Sequence, residues 1–521
     1  MKILTAAQIR EIDRLSTEKY GIPSLLLMEN AGMRVLEAIE ERIEDLEDAV
    51  IGILCGKGNN GGDGMVVARQ LIQRGHAPFV FLFGRDEDVR GDARRNLDIL
   101  KAIGCPPTAI LTESDWMREK VELVDADVIV DALLGTGLTK SVDGLYRAVI
   151  EGLESDFPGA MIVSIDVPSG LPADSASPIG PAVQADLTVT FTALKHCLVF
   201  PPNHENAGDV LLADIGNPRE LLESPDLSVH LISPEDFPAA RRARSEDTHK
   251  GDYGRVMIIG GSRGKSGAAV MAGQAALRAG AGLVTVAAPA GVLPIIAAST
   301  PELMTEALAE TESGGVARHA MDPAMRMLEG KTVLAIGPGL GAHPETFEFV
   351  RTIVRQTDLP TIIDADGLNA FAGHSDALRG GDRRGVIITP HPGEMARLIE
   401  RDAGYINANR MDVARDFAAA HNLYVVLKGF RTIVAAPDSS VYVCAAGNPG
   451  MATGGAGDIL TGLIAGIIAQ IHLGSFLERL CLAVYLHGLA GDIGAEKIGE
   501  ETLVATDILR FLSDAWNDIR N

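Results

Sequence analysis

The chain has 521 residues, with 46 Lys and Arg against 70 Asp and Glu, which gives a formal net charge of −24. Such a field repels a phosphate backbone, and aromatic residues make up only 4% of the chain, so its composition argues against nucleic acid as a partner. The 5 cysteines form no CxxC pair, no apolar run approaches membrane-spanning length, and the N-terminus lacks a signal-peptide core, which together predict a cytoplasmic protein without disulfides or zinc.

The first block of the chain, residues 49–215, alternates short apolar runs with segments of helical pattern. The runs read AVIGILC, PFVFLFG, DVIVDALL, AMIVSID and DLTVTF, and one helix is predicted at 63–74. Such runs are typical of parallel strands that helices cover on both faces. The pattern predicts a doubly wound, Rossmann-like α/β/α domain over residues 1–216. Helical segments at 5–14 and 24–42 come first, and either cover the sheet or form a dimer face.

The apolar periodicity stops between residues 217 and 250, where prolines and a basic patch occur. We therefore predict a linker and domain entry at 217–250, followed by a second domain at 251–521. Its apolar runs read RVMIIGG, LVTVAAP, TVLAIGP, PTIIDAD, GVIITPH, YVVLKG, TIVAAP and VYVCAA. Long helices are predicted at 454–470 and 476–494. The second domain is thus expected to be α/β with a helical end.

The first glycine loop, Gly56 to Gly61, has the GxGxxG spacing of a dinucleotide-binding turn between a strand and a helix. Asp63 follows almost directly and is predicted to cap the helix N-terminus. There it would occupy the amide donors that a diphosphate needs. The loop is therefore expected to hold a neutral or polar group instead.

The richest glycine loop, Asn448 to Leu460, reads NPGMATGGAGDIL and leads into an apolar helix. Free backbone amides at a helix start bind an anion, and the helix dipole adds to this. Asp458, just inside the same turn, can take a proton from a hydroxyl group beside a bound phosphate. Glycines and a carboxylate at a helix entry predict phosphoryl transfer to an alcohol.

Four further motifs follow predicted strands of the second domain: GPGLG from Gly337, DAD from Asp364, TPHPGE from Thr389, and Lys428. The carboxyl ends of parallel strands meet at one edge of a sheet, where α/β folds place their ligands. We therefore expect these motifs to line one cleft together with Asp458.

Taken in order, the motifs resemble the bifunctional NAD(P)HX repair enzymes. These fuse an NAD(P)HX epimerase of the YjeF N-terminal type to an ADP/ATP-dependent NAD(P)HX dehydratase of the ribokinase-like superfamily. The N-terminal motifs are LLMENAG, GKGNNGGDG, DALLGTGL and SIDVPSGL. The C-terminal motifs are HKGDYGRVMIIGGS, SGAAVMAG, GPGLG, DADGLN, TPHPGE, LKG and NPGMATGGAGD. The resemblance implies a Rossmann-like epimerase domain followed by a ribokinase-like dehydratase domain.

The implied substrate is reduced nicotinamide coenzyme hydrated at C6 of the ring. The N-terminal half would interconvert (R)- and (S)-NAD(P)HX, with Asp166, at a strand end before Pro168, as the acid/base. The C-terminal half would convert (S)-NAD(P)HX to NAD(P)H by phosphorylating the hydroxyl group and eliminating phosphate. Asp458 would activate the hydroxyl group, and the amides of Gly455 to Gly457 would hold the transferred phosphate.

The resemblance also implies ligand contacts in both halves. Epimerase substrate contacts would be Asn59, Asn60, Gly61, Gly62, Asp63, Gly135, Thr136, Gly137, Leu138, Thr139, Lys140, Ser141 and Asp166. Dehydratase substrate contacts would be Ala268, Gly339, His391 and Asp458. Nucleotide contacts would be Lys428, Gly429, Phe430, Arg431, Thr432 and Gly457, with ADP or ATP and Mg²⁺ as the co-substrate. Asn60, Asp131 and Ser169 match potassium ligands, since oxygen donors with a single carboxylate fit a weakly charged hard cation.

An alternative assignment is a ribokinase-like vitamin-precursor kinase fused to a non-catalytic YjeF-type binding domain. Such a kinase shares the GAGD loop but does not explain the NNGGD half. On the repair-enzyme assignment we expect small-molecule partners, NADHX, NADPHX and ADP or ATP. We expect no nucleic acid and no membrane as partners, and a homo-oligomeric assembly whose size the sequence does not set.

Overall fold

The computed structural model describes residues 1–43, 46–381 and 384–520. The chain divides into two compact units, Met1–Leu227 and Ser228–Asn521. Each unit is an α/β structure built on its own main sheet, which confirms the predicted fold class. Within the described ranges, no helix is both long and apolar enough to cross a membrane.

The first unit contains nine of the β-strands that the structure describes, together with eight α-helices. The strands are β1 Ile3–Leu4, β2 Ile51–Cys55, β3 Phe79–Leu82, β4 Thr108–Ala109, β5 Val128–Ala132, β6 Met161–Ile165, β7 Leu187–Phe191, β8 Leu194–Lys195 and β9 Asp209–Ala213. The helices are α1 Ala6–Glu18, α2 Ser24–Glu40, α3 Asn59–Gln73, α4 Gly91–Ala102, α5 Glu113–Glu119, α6 Gly144–Asp156, α7 His196–Val199 and α8 Arg219–Leu222. All five predicted apolar runs of this block form strands.

The main sheet of the first unit has the strand order β4-β3-β2-β5-β6-β7-β9, and every pair in it is parallel. The chain runs outward from β2 to one edge and then returns to β5 on the other side of β2. Strand order therefore reverses between β2 and β5, and ligands of open α/β sheets bind at such a reversal. The loop that begins at Gly56 and the one that begins at Leu133 both lie there.

The second unit holds ten described strands and eleven described α-helices. The strands are β10 Val229–Leu231, β11 Arg255–Ile259, β12 Leu283–Pro289, β13 Met304–Leu308, β14 Val333–Ile336, β15 Thr361–Ile363, β16 Val386–Ile388, β17 Tyr424–Leu427, β18 Thr432–Ala435 and β19 Val441–Cys444. The helices are α9 Ser266–Arg278, α10 Leu293–Ser299, α11 Met321–Met327, α12 Pro344–Gln356, α13 Asp366–Asn369, α14 Pro392–Ile399, α15 Ala403–Ala408, α16 Arg410–His421, α17 Ala456–Ile468, α18 Phe476–Ile498 and α19 Ala505–Arg520.

The sheet of the second unit has the order β10-β19-β18-β17-β16-β15-β14-β11-β12-β13. Its pairs are parallel except that β18 runs antiparallel to β17 and to β19. Strand order reverses between β11 and β14, which places the loops after them at the binding edge. The helical end of the unit is as predicted, and α17 packs its buried apolar residues against α9 and the sheet.

Strand β10 lies within residues 217–250, where the sequence predicts a linker. It pairs with β19 in parallel register, and Ile232, Phe237 and Ala240 just beyond it are buried in the core of the second unit. Residues 228–250 therefore pack as part of the second unit in the structure.

Candidate active sites

The first unit contains a cavity of about 570 Å³ at the carboxyl edge of its sheet, where strand order reverses. Loops after β2, β5, β6 and β7 line it, and helices α1 and α2 close it. Eight predicted residues lie in the lining: Asn59, Asn60, Asp63, Gly135, Thr136, Gly137, Leu138 and Asp166. Within the described part of the chain, Gly61, Gly62 and Thr139 to Ser141 adjoin these residues without lining the cavity.

Helix α3 corrects the prediction that Asp63 caps its N-terminus. The helix begins at Asn59 with Gly58 as the N-cap residue, so Asp63 lies in the second turn. The helix can begin early because Gly61 packs where no side chain fits: a Cβ there would lie 1.9 Å from the Gly56 carbonyl oxygen. Gly62 packs closely against Met28 and the backbone of Ala93. Asp63 thus leaves the first amides of α3 uncovered and faces the cavity instead.

Asp166 follows β6 with φ of +67°, a left-handed conformation that a non-glycine residue rarely adopts. Its carboxylate pairs with the ammonium group of Lys195, which has no exposed side-chain surface. Lys195 also donates to Thr190 Oγ1 at 2.8 Å and to the Phe191 carbonyl at 2.9 Å. A buried lysine is tolerated when it is paired and hydrogen-bonded in this way, and the contact fixes the position of the Asp166 carboxyl group beside the cavity.

Two further carboxyl groups line the same cavity, those of Asp13 and Asp63. Burial, and then the charges of Asp166 and Asp13, raise the pKa of Asp63 well above its usual value. Burial also raises the pKa of Asp13, although a hydrogen bond from Asn217 opposes this. The cavity therefore combines a lysine-paired carboxyl group with two carboxyl groups whose pKa values are raised, and carboxyl groups in such different environments suit acid and base catalysis.

The predicted potassium ligands are linked by hydrogen bonds, and Asn60 among them lines the cavity. Asp131 is fully buried, and Ser169 donates to it through both its amide, at 2.8 Å, and its hydroxyl group, at 2.5 Å. The Leu134 carbonyl joins the group, at 3.1 Å from Ser169 Oγ and 3.0 Å from Asn60 Nδ2. One carboxylate among neutral oxygens fits a hard monovalent cation. No cluster of three or more His, Cys, Asp or Glu side chains suited to a metal occurs in the described ranges.

In the second unit Asp458 lies in the first turn of α17. The N-cap residue of this helix is Gly455, whose φ is +101°. Burial, and next the charge of Asp364, raise the pKa of Asp458 to about 6, while Lys428 opposes this. A Cβ on Gly457 would lie 3.3 Å from Lys428 Nζ, so the backbone at the helix start faces that ammonium group. The predicted base and the predicted anion site therefore meet at the start of α17.

Lys428, at the end of β17, connects the strand ends of this site. Its Nζ atom lies 2.8 Å from Asp364 Oδ1 and 3.7 Å from Glu394 Oε2. Asp364 is 1% exposed and also accepts a hydrogen bond of 2.7 Å from Thr461 Oγ1 on α17. This contact ties β15 to the helix that carries Asp458, so the DAD and TPHPGE motifs and Lys428 lie together near the start of α17.

His391 caps α14 and is connected to the same group of charges through Glu394. Its Nε2 atom lies 3.6 Å from Glu394 Oε1, and its amide donates to Glu394 Oε2 at 2.8 Å. The imidazole is half exposed, because 52% of the side chain reaches solvent. A ring at that position can meet a ligand that enters the cleft.

Gly339 and Ala268 face each other across the strand reversal of the second unit. A Cβ on Gly339 would lie 3.0 Å from Ala268 Cβ and 2.6 Å from the Lys265 carbonyl oxygen, so only glycine fits there. Beside them, Asp366 accepts from Lys265 Nζ at 3.0 Å and from the Gly341 amide at 2.8 Å. The charge of Asp366 also contributes to the raised pKa of Asp458, after burial and Asp364.

Sequence reasoning missed Lys195 and Asp13 in the first site. Asp13 lies on an amphipathic helix among several exposed charged residues, and no spacing distinguishes it. Lys195 carried a weak signal, because a lysine in the apolar stretch TALKHCLVF needs a buried partner. Neither residue belongs to a glycine loop, and glycine loops guided the prediction.

Two family descriptions match the two units. Residues 24–197 match the family described as YjeF-related protein N-terminus. Residues 256–513 match the family described as NAD(P)H-hydrate dehydratase. The first match contains the residues of the cavity loops, and the second contains Asp458 and Lys428.

Similar proteins cover nearly the whole chain. A protein of Moorella thermoacetica called bifunctional NAD(P)H-hydrate repair enzyme is 44% identical over 514 residues, which are 98% of this chain and 96% of that protein. Proteins of the same name from Thermofilum pendens and Escherichia coli are 37% and 33% identical, over 100% and 98% of this chain and 97% and 93% of theirs. A solved ADP/ATP-dependent NAD(P)H-hydrate dehydratase of Bacillus subtilis, co-crystallised with ATP/Mg²⁺, is 28% identical over 56% of this chain and 99% of its own, with a TM-score of 0.46.

Proposed function

The chain belongs to the bifunctional NAD(P)H-hydrate repair enzymes, and from this premise we propose which residues carry its two reactions. The enzyme epimerises hydrated NAD(P)H and dehydrates it, as its two family matches indicate. We assign the epimerase site to the cavity of the first unit and the dehydratase site to the cleft around Asp458. The comparisons support this function and not a vitamin-precursor kinase fused to a binding domain.

The dehydratase reaction must remove a hydroxyl group, which is a poor leaving group. We propose that Asp458 takes the hydroxyl proton while the substrate oxygen attacks the terminal phosphorus of ADP or ATP, supplied with Mg²⁺. The bond from that phosphorus to the bridging oxygen breaks, and AMP or ADP leaves. The amides of Gly455 to Gly457 and the positive end of α17 then stabilise the transferred phosphate. Loss of phosphate from C6 and of a proton from C5 restores the ring double bond. The observation that carries this assignment is the position of Asp458 in the first turn of α17, next to Gly457, which faces the Lys428 ammonium group.

The epimerase reaction needs less from the protein, because the ring nitrogen can expel the hydroxyl group as water and leave an iminium ion. Water that returns to the other face gives the opposite epimer. We propose that Asp166 takes a proton from this water as it adds to the ring. Lys195 and Thr190 hold the Asp166 carboxyl group in place. Asp63 lines the same cavity and its pKa is raised, so it suits protonation of the departing hydroxyl group.

The assay that tests both assignments together uses the purified full chain with each separate hydrate epimer, with and without ADP. The return of reduced-nicotinamide absorbance from (S)-NADHX is expected only with ADP. Without ADP, each epimer is expected to give a mixture of both.

Domain borders at 216 and 250, a homo-oligomer and a cytoplasmic location stay predictions.

Potassium is proposed to support the epimerase site through Asn60, Asp131 and Ser169. When bound there, the cation would supply a fixed positive charge to the loops that form the cavity. Exchange of K⁺ for Li⁺ in the buffer is expected to lower the epimerase rate about tenfold, the scale on which support of a metal site affects activity. Epimer interconversion is followed by chromatography, with the dehydratase rate as the control. Equal epimerase rates in both salts would contradict the assignment.

The rate of the dehydratase reaction is expected to depend on pH through Asp458. A general base must be ionised, and the pKa of Asp458 is raised to about 6 by burial and the charge of Asp364. The kcat/KM for (S)-NADHX should therefore fall as the pH drops below about 6 and level off above it. Initial rates between pH 5 and 8 measure this, and a rate that rises toward acid would exclude Asp458 as the base.

A further inference from the structure

The loop Lys428–Thr432 joins β17 to β18 and contains two residues in unusual backbone conformations. Gly429 has φ of +139° and Arg431 has φ of +58°. Left-handed backbone at a non-glycine residue costs free energy and persists where the surrounding structure imposes it. The proposed function assigns this loop to the nucleotide, so whatever imposes its shape also affects nucleotide binding.

Arg410, the first residue of α16, reaches this loop from a different element. Its guanidinium group donates to the carbonyl of Phe430, to that of Arg431 at 3.3 Å and to that of Leu427 at 3.4 Å. Burial lowers the pKa of Arg410 to about 10. Its Nε atom is buried and has no hydrogen-bond partner among the residues that the structure describes. The cation is thus directed at the backbone of the loop.

The contact with Phe430 sets the direction of a peptide group. A trans peptide is planar, and its carbonyl oxygen and amide hydrogen point to opposite sides. Because Arg410 holds the Phe430 carbonyl, the amide of Arg431 points away from the guanidinium group. The Arg431 side chain donates to the Ala445 carbonyl, 2.8 Å from its Nη1 atom, a few residues before the glycine loop.

We propose that Arg410 is a positioning residue for the dehydratase reaction, which holds Lys428–Thr432 in the conformation that binds the nucleotide. This inference rests on the proposed function and deepens it. A lysine cannot replace the arginine fully, since one ammonium group lacks the planar fork that reaches several carbonyls at once.

Steady-state kinetics of the full chain with R410M and R410K test the proposal. R410M is expected to raise the KM for ADP about tenfold or more, because it removes hydrogen bonds from a charged donor. R410K is expected to raise it less. The KM for (S)-NADHX should stay near that of the unchanged protein, which a general loss of structure would not allow. If R410M does not fold, R410K decides: a raised KM for ADP supports the proposal, and an unchanged one overturns it.

Two further variants separate positioning from stability. Arg384 makes a similar clamp elsewhere, donating to the carbonyls of Val354 at 2.6 Å and Arg379 at 3.0 Å, so R384M should cost stability without changing the KM for ADP. G429A changes the loop itself, where a Cβ would lie 3.0 Å from Arg410 Nη2, and should raise that KM.

The outcomes distinguish the positioning role of Arg410 from the assignment of the loop to the nucleotide. If G429A raises the KM for ADP and R410M does not, the positioning role is wrong while the nucleotide assignment of the loop stands. If neither variant changes it, the loop assignment itself is wrong. If R384M raises it as much as R410M, the effect is loss of stability and the proposal is overturned.

Discussion

Replacing Asp458 with Asn is expected to lower the kcat of the dehydratase reaction by about 10²–10⁴-fold, the usual contribution of a general base. The amide keeps the shape of the side chain but cannot accept the hydroxyl proton. The glycine amides and Lys428 remain in place, so the KM for ADP should change little. The return of reduced-nicotinamide absorbance from (S)-NADHX and ADP measures the effect.

The same D458N protein supplies its own internal control, because epimerisation in the first unit should continue at the unchanged rate. A matched variant is D412N, which removes an exposed carboxylate on α16 that pairs with Arg415. It should leave both activities as they are. A D458N protein that dehydrates (S)-NADHX at the original rate would show that another group takes the proton.

Replacing Asp166 with Asn is expected to reduce epimerisation by a similar factor and leave dehydration of (S)-NADHX intact. The amide can neither carry the proton nor pair with the buried ammonium group of Lys195. Starting from (R)-NADHX with ADP, the variant should recover almost no reduced coenzyme. Starting from (S)-NADHX, it should recover coenzyme at the original rate.

The K195M variant tests the same ion pair of Asp166 and Lys195 by changing the lysine. It removes the cation and leaves Asp166 without its ion-pair partner, which should also lower epimerisation. The control is K120M, which removes a lysine that pairs with Asp156 at 2.7 Å outside the cavity lining described for this unit. Epimerisation that persists in both D166N and K195M would refute the assignment of this pair.

The sequence predicted the buried strands of both sheets, because each is an apolar run between turn residues. It missed strands whose faces are partly exposed. In β13 three of five residues are exposed, and in β9 Val210 and Leu211 face solvent at the sheet edge. An edge strand lies against a neighbour on one side only, so it carries less of the long buried apolar pattern by which the central strands were predicted. Strand β10 was missed for the same reason and was interpreted as part of a linker.

The candidate sites were predictable where a glycine loop or a strand end marked them. Asp458, Asp166 and Lys428 all follow such signals. Lys195 and Arg410 do not, because each acts from a strand or helix with no characteristic spacing, and only the fold brings it to the loop that it contacts. Asp63 was placed wrongly because the sequence suggests a capped helix, whereas close packing of glycines lets α3 begin at Asn59.

A crystal structure of the D458N protein with ADP and (S)-NADHX tests the central claim most directly. The account predicts that the terminal phosphate lies on the amides of Gly455 to Gly457, with the C6 hydroxyl group between that phosphate and the side chain at position 458. A terminal phosphate bound away from the start of α17, or a hydroxyl group directed elsewhere, would contradict it.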